Sequence, residues 1–390
     1  MKKIAYESWT KEALIRRLVE LESPRTPAAP EAVRVAKKQK TMDFSKYSTR
    51  PVAIKFAYLG WNYHGLAFQK DESTPTVESC ILKAFYKTKC IASMDPAECD
   101  FSRCGRTDRD VSAMEQVINL RLRSNLTRDQ QLDPSMDSKE LDYLKILNSH
   151  LPADILAYEI CLRPPANFNA RFSCVYRHYR YYFSSNGLDI ARMNEAAALL
   201  LGEHDFRNFC KIDASKQITN YKRTILESQI VQEGNLCYLS LKGTAFLWNQ
   251  VRSIMAILFL IGQKFEQVSL ISTLLDIEQT PRRPAYEIAW GVPLVLYSCG
   301  YPSPMEWKAS EYTSRDGVYN LFHDHWVKQQ MAAVMLDVIA HTVGGETRPV
   351  GINVGNGIGR HSKYVPVNAR PKNSTFEEVN AKWRTKKASK

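Results

Sequence analysis

The sequence predicts an α+β protein with two domains, each a mainly antiparallel sheet covered by helices on one face. The chain has 390 residues, more than one compact core uses. Hydrophobic residues make up 44% of it, enough to bury a core in each domain. Strand patterns are mixed with single helix patterns in both halves, which favours two units of similar architecture over one helical or one all-β fold.

The first half opens with a strand pattern over 52–59, which a loop at 60–65 ends. A helix is predicted over 75–90, with an apolar face formed by Val77, Ile81, Leu82 and Phe85. Residues 118–123 then alternate, with Ile118, Leu120 and Leu122 against Asn119, Arg121 and Arg123. That alternation predicts a half-buried strand with a basic outer face. Residues 124–146 are polar and predict an inserted loop that leads into a helix.

The second half starts near Phe168. It contains strand patterns over 176–183, 223–232 and 236–243, an alanine-rich helix over 189–201 and a long apolar helix over 246–265. We therefore predict an N-terminal catalytic-loop domain over 51–165 and a C-terminal catalytic domain over 166–300. An N-terminal helix over 1–22 and a basic linker over 23–50 precede them. A C-terminal extension over 301–390 follows, with an amphipathic helix over 319–343 and a basic, loop-like tail.

The charge balance narrows the class of partner. Lysine and arginine number 53 against 41 acidic residues, a net charge of +12. A pI near 9.2 favours a polyanionic partner, commonly nucleic acid, although a basic enzyme without one has the same balance. No segment resembles a signal peptide, and the apolar run over 254–262 is too short to span a bilayer. Nine singly scattered cysteines indicate reduced thiols, so we expect a nuclear and cytoplasmic protein without membrane association.

One motif combines a tight turn with charged and hydroxyl side chains at the entrance of the alternating strand. It reads Cys104-Gly105-Arg106-Thr107-Asp108-Arg109-Asp110. A neighbouring arginine keeps a partly buried aspartate ionised, as a nucleophile or base at neutral pH requires. The same residues also suit a surface turn with a local ion pair.

Two further motifs carry aromatic and basic residues. In the strand over 176–183, Arg177, Tyr179, Tyr181 and Phe183 face one way, and Tyr176, His178, Arg180 and Tyr182 the other. This suits phosphate contacts and base stacking, and equally an aromatic core strand. In the third motif, over 242–252, Arg252 lies on an otherwise apolar helix and needs an acidic partner. That partner is either a catalytic carboxylate or a structural one.

No motif in the chain indicates a cofactor. His323-Asp324-His325 lacks a third metal ligand, and the glycine-rich run over 355–359 lacks the strand and helix that phosphate binding needs. We therefore expect no metal and no small-molecule cofactor.

Together and in this order, the three motifs resemble the TruA family of tRNA pseudouridine synthases over residues 51–300. The family's GRTD motif is similar to Gly105-Arg106-Thr107-Asp108, its tyrosine motif to 177–181 and its third motif to 245–254. The loop over 59–65, Cys104 before Gly105 and Leu14-Ile15-Arg16-Arg17 resemble the eukaryotic branch, which acts on positions 38 and 39 of the anticodon stem-loop. The family has glycine two residues after its aspartate, where this chain has Asp110.

The resemblance implies the pseudouridine synthase fold, with an active-site cleft between the two domains, and a tRNA substrate bound by a homodimer. Asp108 would attack the sugar C1′ or remove a sugar proton from a flipped uridine. Tyr179 would stack on the base and take the C5 proton, and Arg252 would hold Asp108 ionised. Further substrate contacts are expected from Arg106, Phe246, Arg121, Arg123, Arg177 and Arg180. A non-catalytic tRNA-binding protein that keeps this fold, favoured by Asp110, and a basic scaffold for protein contacts are the alternatives.

Overall fold

The computed structural model describes residues 10–11, 42–69, 73–234, 236–302, 305–309, 315–344 and 364–389. Residues Phe44–Lys390 form one compact unit and Met1–Asp43 another. Apart from residues 10 and 11, the helix predicted over 1–22 lies outside the described residues, as does the linker over 23–41.

Nine strands form one sheet with the order β4-β1-β3-β9-β5-β8-β7-β6, and β2 pairs with β3 at its side. Their bounds are β1 Ser48–Tyr58, β2 Ser102–Arg103, β3 Ser112–Ser124, β4 Ile155–Cys161, β5 Tyr176–Ser184, β6 Gly202–Asp205, β7 Lys222–Glu233, β8 Leu236–Gly243 and β9 Leu294–Gly300. Among the described strands, β3 with β9 is the only parallel pair, so the sheet is mainly antiparallel.

The predicted strand at 52–59 begins earlier than expected, at Ser48, so residues 48–50 belong to β1 and not to the linker. Pro51 obscured this start because proline is rare inside sheets. Here it pairs with Arg121 of β3, while the pairing of β1 with β4 begins only at Ala53. Pro51 therefore lies on a locally open edge, where its missing N–H costs no ladder hydrogen bond.

Seven helices complete the part of the chain that the structure describes from Phe44 on. Their bounds are α1 Val77–Lys87, α2 Tyr143–Asn148, α3 Ile190–Ala198, α4 Gln250–Gly262, α5 Leu270–Leu275, α6 Arg315–Gly344 and α7 Phe376–Ala388. The predicted apolar face of α1 is confirmed, since Val77, Ile81, Leu82 and Phe85 are fully buried. The alternation in β5 is also confirmed: Tyr181 and Phe183 are buried against Phe259 of α4.

Three helix predictions need correction. The helix over 246–265 begins only at Gln250, because Asn249 takes φ 60°, a left-handed conformation that a helix cannot contain. Helix α6 begins at Arg315, before the predicted 319, and all its side chains over 328–340 are exposed, so its apolar side does not pack on the described part of the chain. The tail is not all loop: Thr375 and Glu378 form a capping box that starts α7.

The fold is thus a mixed α+β fold around a large, mainly antiparallel sheet. Among the described residues, no helix is long and apolar enough to cross a bilayer.

Candidate active site

The loop over 105–111 lies at the middle of the sheet because it leads directly into β3. Strand β3 pairs with β9 in parallel, through Ser112 with Val295 and Ala113 with Leu296. The segments that precede two parallel strands lie at the same end of those strands. The loop that carries Asp108 and the segment before β9 therefore lie side by side at the strand ends, where the two halves of the sheet meet.

Close backbone contacts hold this loop. A side chain at Gly60 would lie 2.1 Å from the Val111 carbonyl oxygen, and one at Gly65 would lie 3.0 Å from that of Thr107. Gly65 also takes φ 98°, which glycine adopts without strain. The Thr107 hydroxyl shares a 2.7 Å hydrogen bond with the Tyr58 hydroxyl at the end of β1. The loop over 59–65, which the resemblance singled out, thus packs directly against the Asp108 loop.

The Asp108 carboxylate receives a hydrogen bond on each oxygen. Trp248 Nε1 donates to Oδ1 at 3.1 Å, and Asn249 Nδ2 donates to Oδ2. Both donors come from the turn that precedes α4, so the carboxylate lies beside the positive N-terminal end of a 13-residue helix. Two N–H donors and a helix N-terminus thus fix the orientation of this half-buried carboxylate.

Arg252 lies in the first turn of the same helix, and its guanidinium binds a backbone oxygen. Its Nε donates to the Ala289 carbonyl oxygen at 2.7 Å, and none of the ion pairs within 4.0 Å in the described residues involves it. Burial lowers the pKa of the Arg252 guanidinium, and the charge of Asp108 is the largest influence that opposes this. Arg252 therefore contributes a positive field at Asp108, while Trp248 and Asn249 make the direct contacts.

Tyr179 supplies an aromatic wall from β5. Its ring meets the ring of Phe246 edge to face, with centroids 5.1 Å apart. Burial raises the pKa of the Tyr179 hydroxyl, so it is a neutral phenol at physiological pH. Phe246 precedes Trp248 by two residues, which connects this aromatic pair to the Asp108 donors through one short turn.

Arg177 binds backbone oxygens of three separate segments. Its Nη2 donates to the carbonyls of Cys104 at 2.7 Å and Arg171 at 2.9 Å, and its Nη1 to that of Thr244 at 3.0 Å. These bonds fix the start of the Asp108 loop against β5 and against the end of β8. Its guanidinium is thus engaged within the protein.

The other predicted arginines lie at different distances from Asp108. Arg106 is exposed in the same loop. Arg121 and Arg123 are nine and eleven residues along β3 from Ser112, about 30 Å or more at the rise of a strand. Arg180 lies on the opposite face of β5 from Tyr179, with its guanidinium carbon 3.6 Å from the Tyr297 ring centroid. The structure therefore groups Arg106 with the site and places these three away from it.

Sequence reasoning assigned no role to Trp248 and Asn249, although both stand in the third motif. One signal was available for Asn249, because asparagine tolerates the left-handed conformation and often marks a turn before a helix. Asp110, which replaces the family's glycine, takes φ 67°. The position does require a positive φ, and aspartate adopts it.

The site combines a carboxylate fixed by two donors, an aromatic wall and an exposed arginine, on a chain of net charge +12. Together, the fold and the site are those of an α+β enzyme that acts on a polyanionic substrate through one catalytic carboxylate.

Comparison with known proteins identifies the family. The tRNA pseudouridine synthase family model matches residues 196–302. The chain is 45% identical to the tRNA pseudouridine(38/39) synthase of Saccharomyces cerevisiae, over 99% of this chain and 93% of that one. It is 38% identical to the Homo sapiens protein of the same name, over 82% and 69% of the two chains. It is also 33% identical to tRNA pseudouridine synthase A of Methanococcoides burtonii, over 76% and 98%. The chain belongs to the tRNA pseudouridine synthase family.

Proposed function

We propose that this protein isomerises uridine to pseudouridine at positions 38 and 39 of the tRNA anticodon stem-loop, with Asp108 as the catalytic carboxylate. The observation that carries the proposal is the double hydrogen bond from Trp248 and Asn249 to Asp108 at the start of α4. The yeast and human relatives that bear this activity in their names support the choice of nucleotides.

The reaction is an isomerisation and needs no external group. The C1′–N1 bond breaks, the uracil turns, and a C1′–C5 bond forms; C5 then loses a proton and N1 gains one. Ionised Asp108 starts this by attacking C1′ or by removing a sugar proton. Both routes require a carboxylate that is held in one orientation and open to the substrate, and its hydrogen bonds and half-buried position support this.

The remaining site residues take the following roles. Tyr179 stacks on the uracil, and its neutral hydroxyl takes up the C5 proton as its own proton passes to water, from which N1 gains one. Phe246 holds the Tyr179 ring in place through their edge-to-face contact. Exposed Arg106 fills the space that the flipped uridine leaves. We assign Arg177 to positioning of the Asp108 loop, since its guanidinium binds three carbonyls of the protein.

We place the uridine in a cleft between domains 51–165 and 166–300. Two pairings, Ser112 with Val295 and Ala113 with Leu296, join β3 to β9, whereas ten join β1 to β3. This narrow connection lies next to the Asp108 loop and supports a boundary there. Arg121, Arg123 and Arg180 remain candidates for phosphate contacts away from the reacting base. We further propose a homodimer, which the exposed apolar side chains of α6 support.

The proposal is tested with Asp108→Asn and the matched control Asp110→Asn on transcribed tRNA. Each change removes one carboxylate from the same loop, and asparagine keeps the size of the aspartate side chain. Pseudouridine is mapped by carbodiimide treatment and primer extension. Wild type and Asp110→Asn should give stops at positions 38 and 39, and Asp108→Asn should give none while still binding tRNA.

Two outcomes would contradict this. If wild-type protein binds tRNA but produces no pseudouridine, the chain is a tRNA-binding protein that keeps the fold of the enzyme. If Asp108→Asn retains wild-type rates, the reaction depends on a different carboxylate.

A further inference from the structure

The C-terminal helix α7 is firmly attached to the second half of the sheet. The Phe376 ring lies with its centroid 4.9 Å from that of Tyr221, and Glu378 pairs with Arg282 at 2.7 Å. Asn380 is 2% exposed and donates to the Ile218 carbonyl oxygen at 3.4 Å. These contacts fix the first turns of α7, so the position of its last turns is also defined.

The last turns of α7 carry concentrated positive charge. Lys382, Arg384, Lys386 and Lys387 are all exposed within six residues. None of them has a carboxylate of the described residues within 4.0 Å. Four cations held close together attract a polyanion, because no neighbouring carboxylate neutralises their charge.

One segment runs from the start of α7 to the active site. Residues 214–221 contact α7, through Ile218 and Tyr221 among others. A few residues earlier, the Lys211 amide donates to the Trp248 carbonyl oxygen at 3.0 Å, and Lys211 Nζ lies 5.9 Å from the centroid of the Trp248 indole. Trp248 in turn donates to Asp108. Exposed Lys211 thus adds a cation next to the Trp248 ring that donates to the catalytic carboxylate.

We infer that the basic end of α7 is a second RNA-contacting surface, which binds backbone phosphates of the same tRNA whose uridine lies at Asp108. The inference rests on the proposed function for its choice of RNA. Lysine and arginine side chains on an exposed helix contact phosphates without reading bases, so α7 adds affinity and orientation and no sequence preference. An acidic protein segment is the competing occupant.

The test is a full-length variant with Lys382, Arg384, Lys386 and Lys387 all changed to Ala, which preserves helix propensity. Its matched control changes Lys83, Lys87, Lys139 and Lys145 to Ala. These four are also exposed and lie in the first half of the chain. Both variants lose the same charge, and thermal melting shows whether both fold. Dissociation constants for tRNA are measured by filter binding at several salt concentrations.

The α7 variant should bind tRNA about 10-fold more weakly at 0.1 M salt, and its log–log salt slope should fall by about 2 to 4. The control should stay within about twofold of wild type, because non-specific attraction by scattered cations is largely screened. Equal weakening of both variants, or unchanged binding by the α7 variant, would overturn the inference. Unchanged binding would leave an acidic protein as the occupant.

Failure of the inference and failure of the proposed function are distinguishable in the same samples. If the wild type isomerises uridine and the α7 variant binds tRNA as tightly as wild type, only the inference is wrong. If the α7 variant binds more weakly but wild type makes no pseudouridine, the surface exists and the proposed reaction is wrong.

Discussion

Asn249 performs two tasks at one position. Its backbone takes φ 60°, which ends the turn and starts α4, and its amide donates to the Asp108 carboxylate. Trp248 shares the second task, but it is 43% exposed. Asn249 is 8% exposed, and its donor is therefore shielded from competition with water.

The variant Asn249→Gly separates these tasks, because glycine keeps the left-handed backbone and loses the amide. We expect the single-turnover isomerisation rate to fall about 100-fold, the scale of a misplaced catalytic group, with tRNA affinity little changed. Rapid quench with pseudouridine mapping measures the rate. Asn249→Ala loses both features and should in addition melt at a lower temperature. A wild-type rate in Asn249→Gly would mean that Trp248 and Arg252 suffice to position Asp108.

Asp110 shows how one departure from the family pattern is tolerated. Its φ of 67° is a conformation that glycine adopts freely and that aspartate adopts at a cost. Its carboxylate lies 3.6 Å from Arg109 Nε at the surface, so that pair adds little stability.

We therefore expect Asp110→Gly to raise the free energy of unfolding by about 0.5 kcal/mol, the backbone relief being partly offset by a more flexible unfolded chain. Isomerisation should stay within about twofold of wild type, since the family has glycine here. Asp100→Gly, at another left-handed position with φ 51°, is the control for the stability change. Urea unfolding measures it. A loss of activity in Asp110→Gly alone would show that the second carboxylate takes part in the reaction.

At the scale of elements, a buried ion pair connects β1 to the insertion over 124–146. Arg50 Nη1 lies 2.9 Å from Glu140 Oε2, and both side chains are 1% exposed. Ser124 and the amides of Asn125 and Leu141 also donate to this carboxylate. Burial acts to raise the pKa of Glu140, but the hydrogen bonds from Ser124, Arg50 and the two amides together outweigh it, and the pKa is lowered.

Glu140→Gln should therefore lower the free energy of unfolding at pH 7 by about 3 kcal/mol, since it leaves a buried guanidinium without a counter-charge. A lowered folded-state pKa stabilises the protein above the unfolded glutamate pKa of about 4.3. That contribution is lost as the pH falls further, so the difference between wild type and variant should narrow below about pH 4. Urea unfolding at pH 7 and 3.5 measures this. The control Glu159→Gln breaks a more exposed pair with Lys55 and should cost less than about 1 kcal/mol at both pH values.

Helices and strands were predicted correctly from sequence where apolar residues recur with a single helical or strand period. The alternation in β3 and β5 and the apolar face of α1 are periodic, and burial confirms each of them. The start of α4 was misplaced because an apolar run continues through a turn that only the backbone of Asn249 reveals. Helix α7 was missed because its mostly polar sequence shows no apolar stripe, although its capping box was readable.

At the scale of the whole molecule, contacts between residues far apart in the chain could not be predicted from local sequence patterns. Asp108 and Asn249 are 141 positions apart, and no local propensity encodes their hydrogen bond. The resemblance implied a role for Arg252 beside Asp108 and did not single out Trp248 and Asn249, whose side chains donate to that carboxylate. The pairing of β3 with β9, which unites the sheet, is likewise a long-range choice that strand patterns leave open.

Helix α6 presents apolar side chains that the rest of the described chain leaves uncovered. Met331, Val334, Met335 and Val338 lie on one side of the helix and are 58–64% exposed. A monomer rarely exposes so much contiguous apolar surface, and an apolar helix surface is normally buried in an assembly. A second copy of this chain is the proposed partner.

The double variant Val334→Glu with Val338→Glu should therefore be monomeric at concentrations where wild type is dimeric, because two buried charges per subunit would face each other across the interface. Ala333→Glu with Ala340→Glu adds the same charge to the opposite side of α6, where both alanines are also exposed, and should stay dimeric. Sedimentation velocity over a concentration series measures the masses. If both variants sediment as dimers, the subunits meet elsewhere. If wild type sediments as a monomer, the apolar side of α6 does not join two copies of the chain.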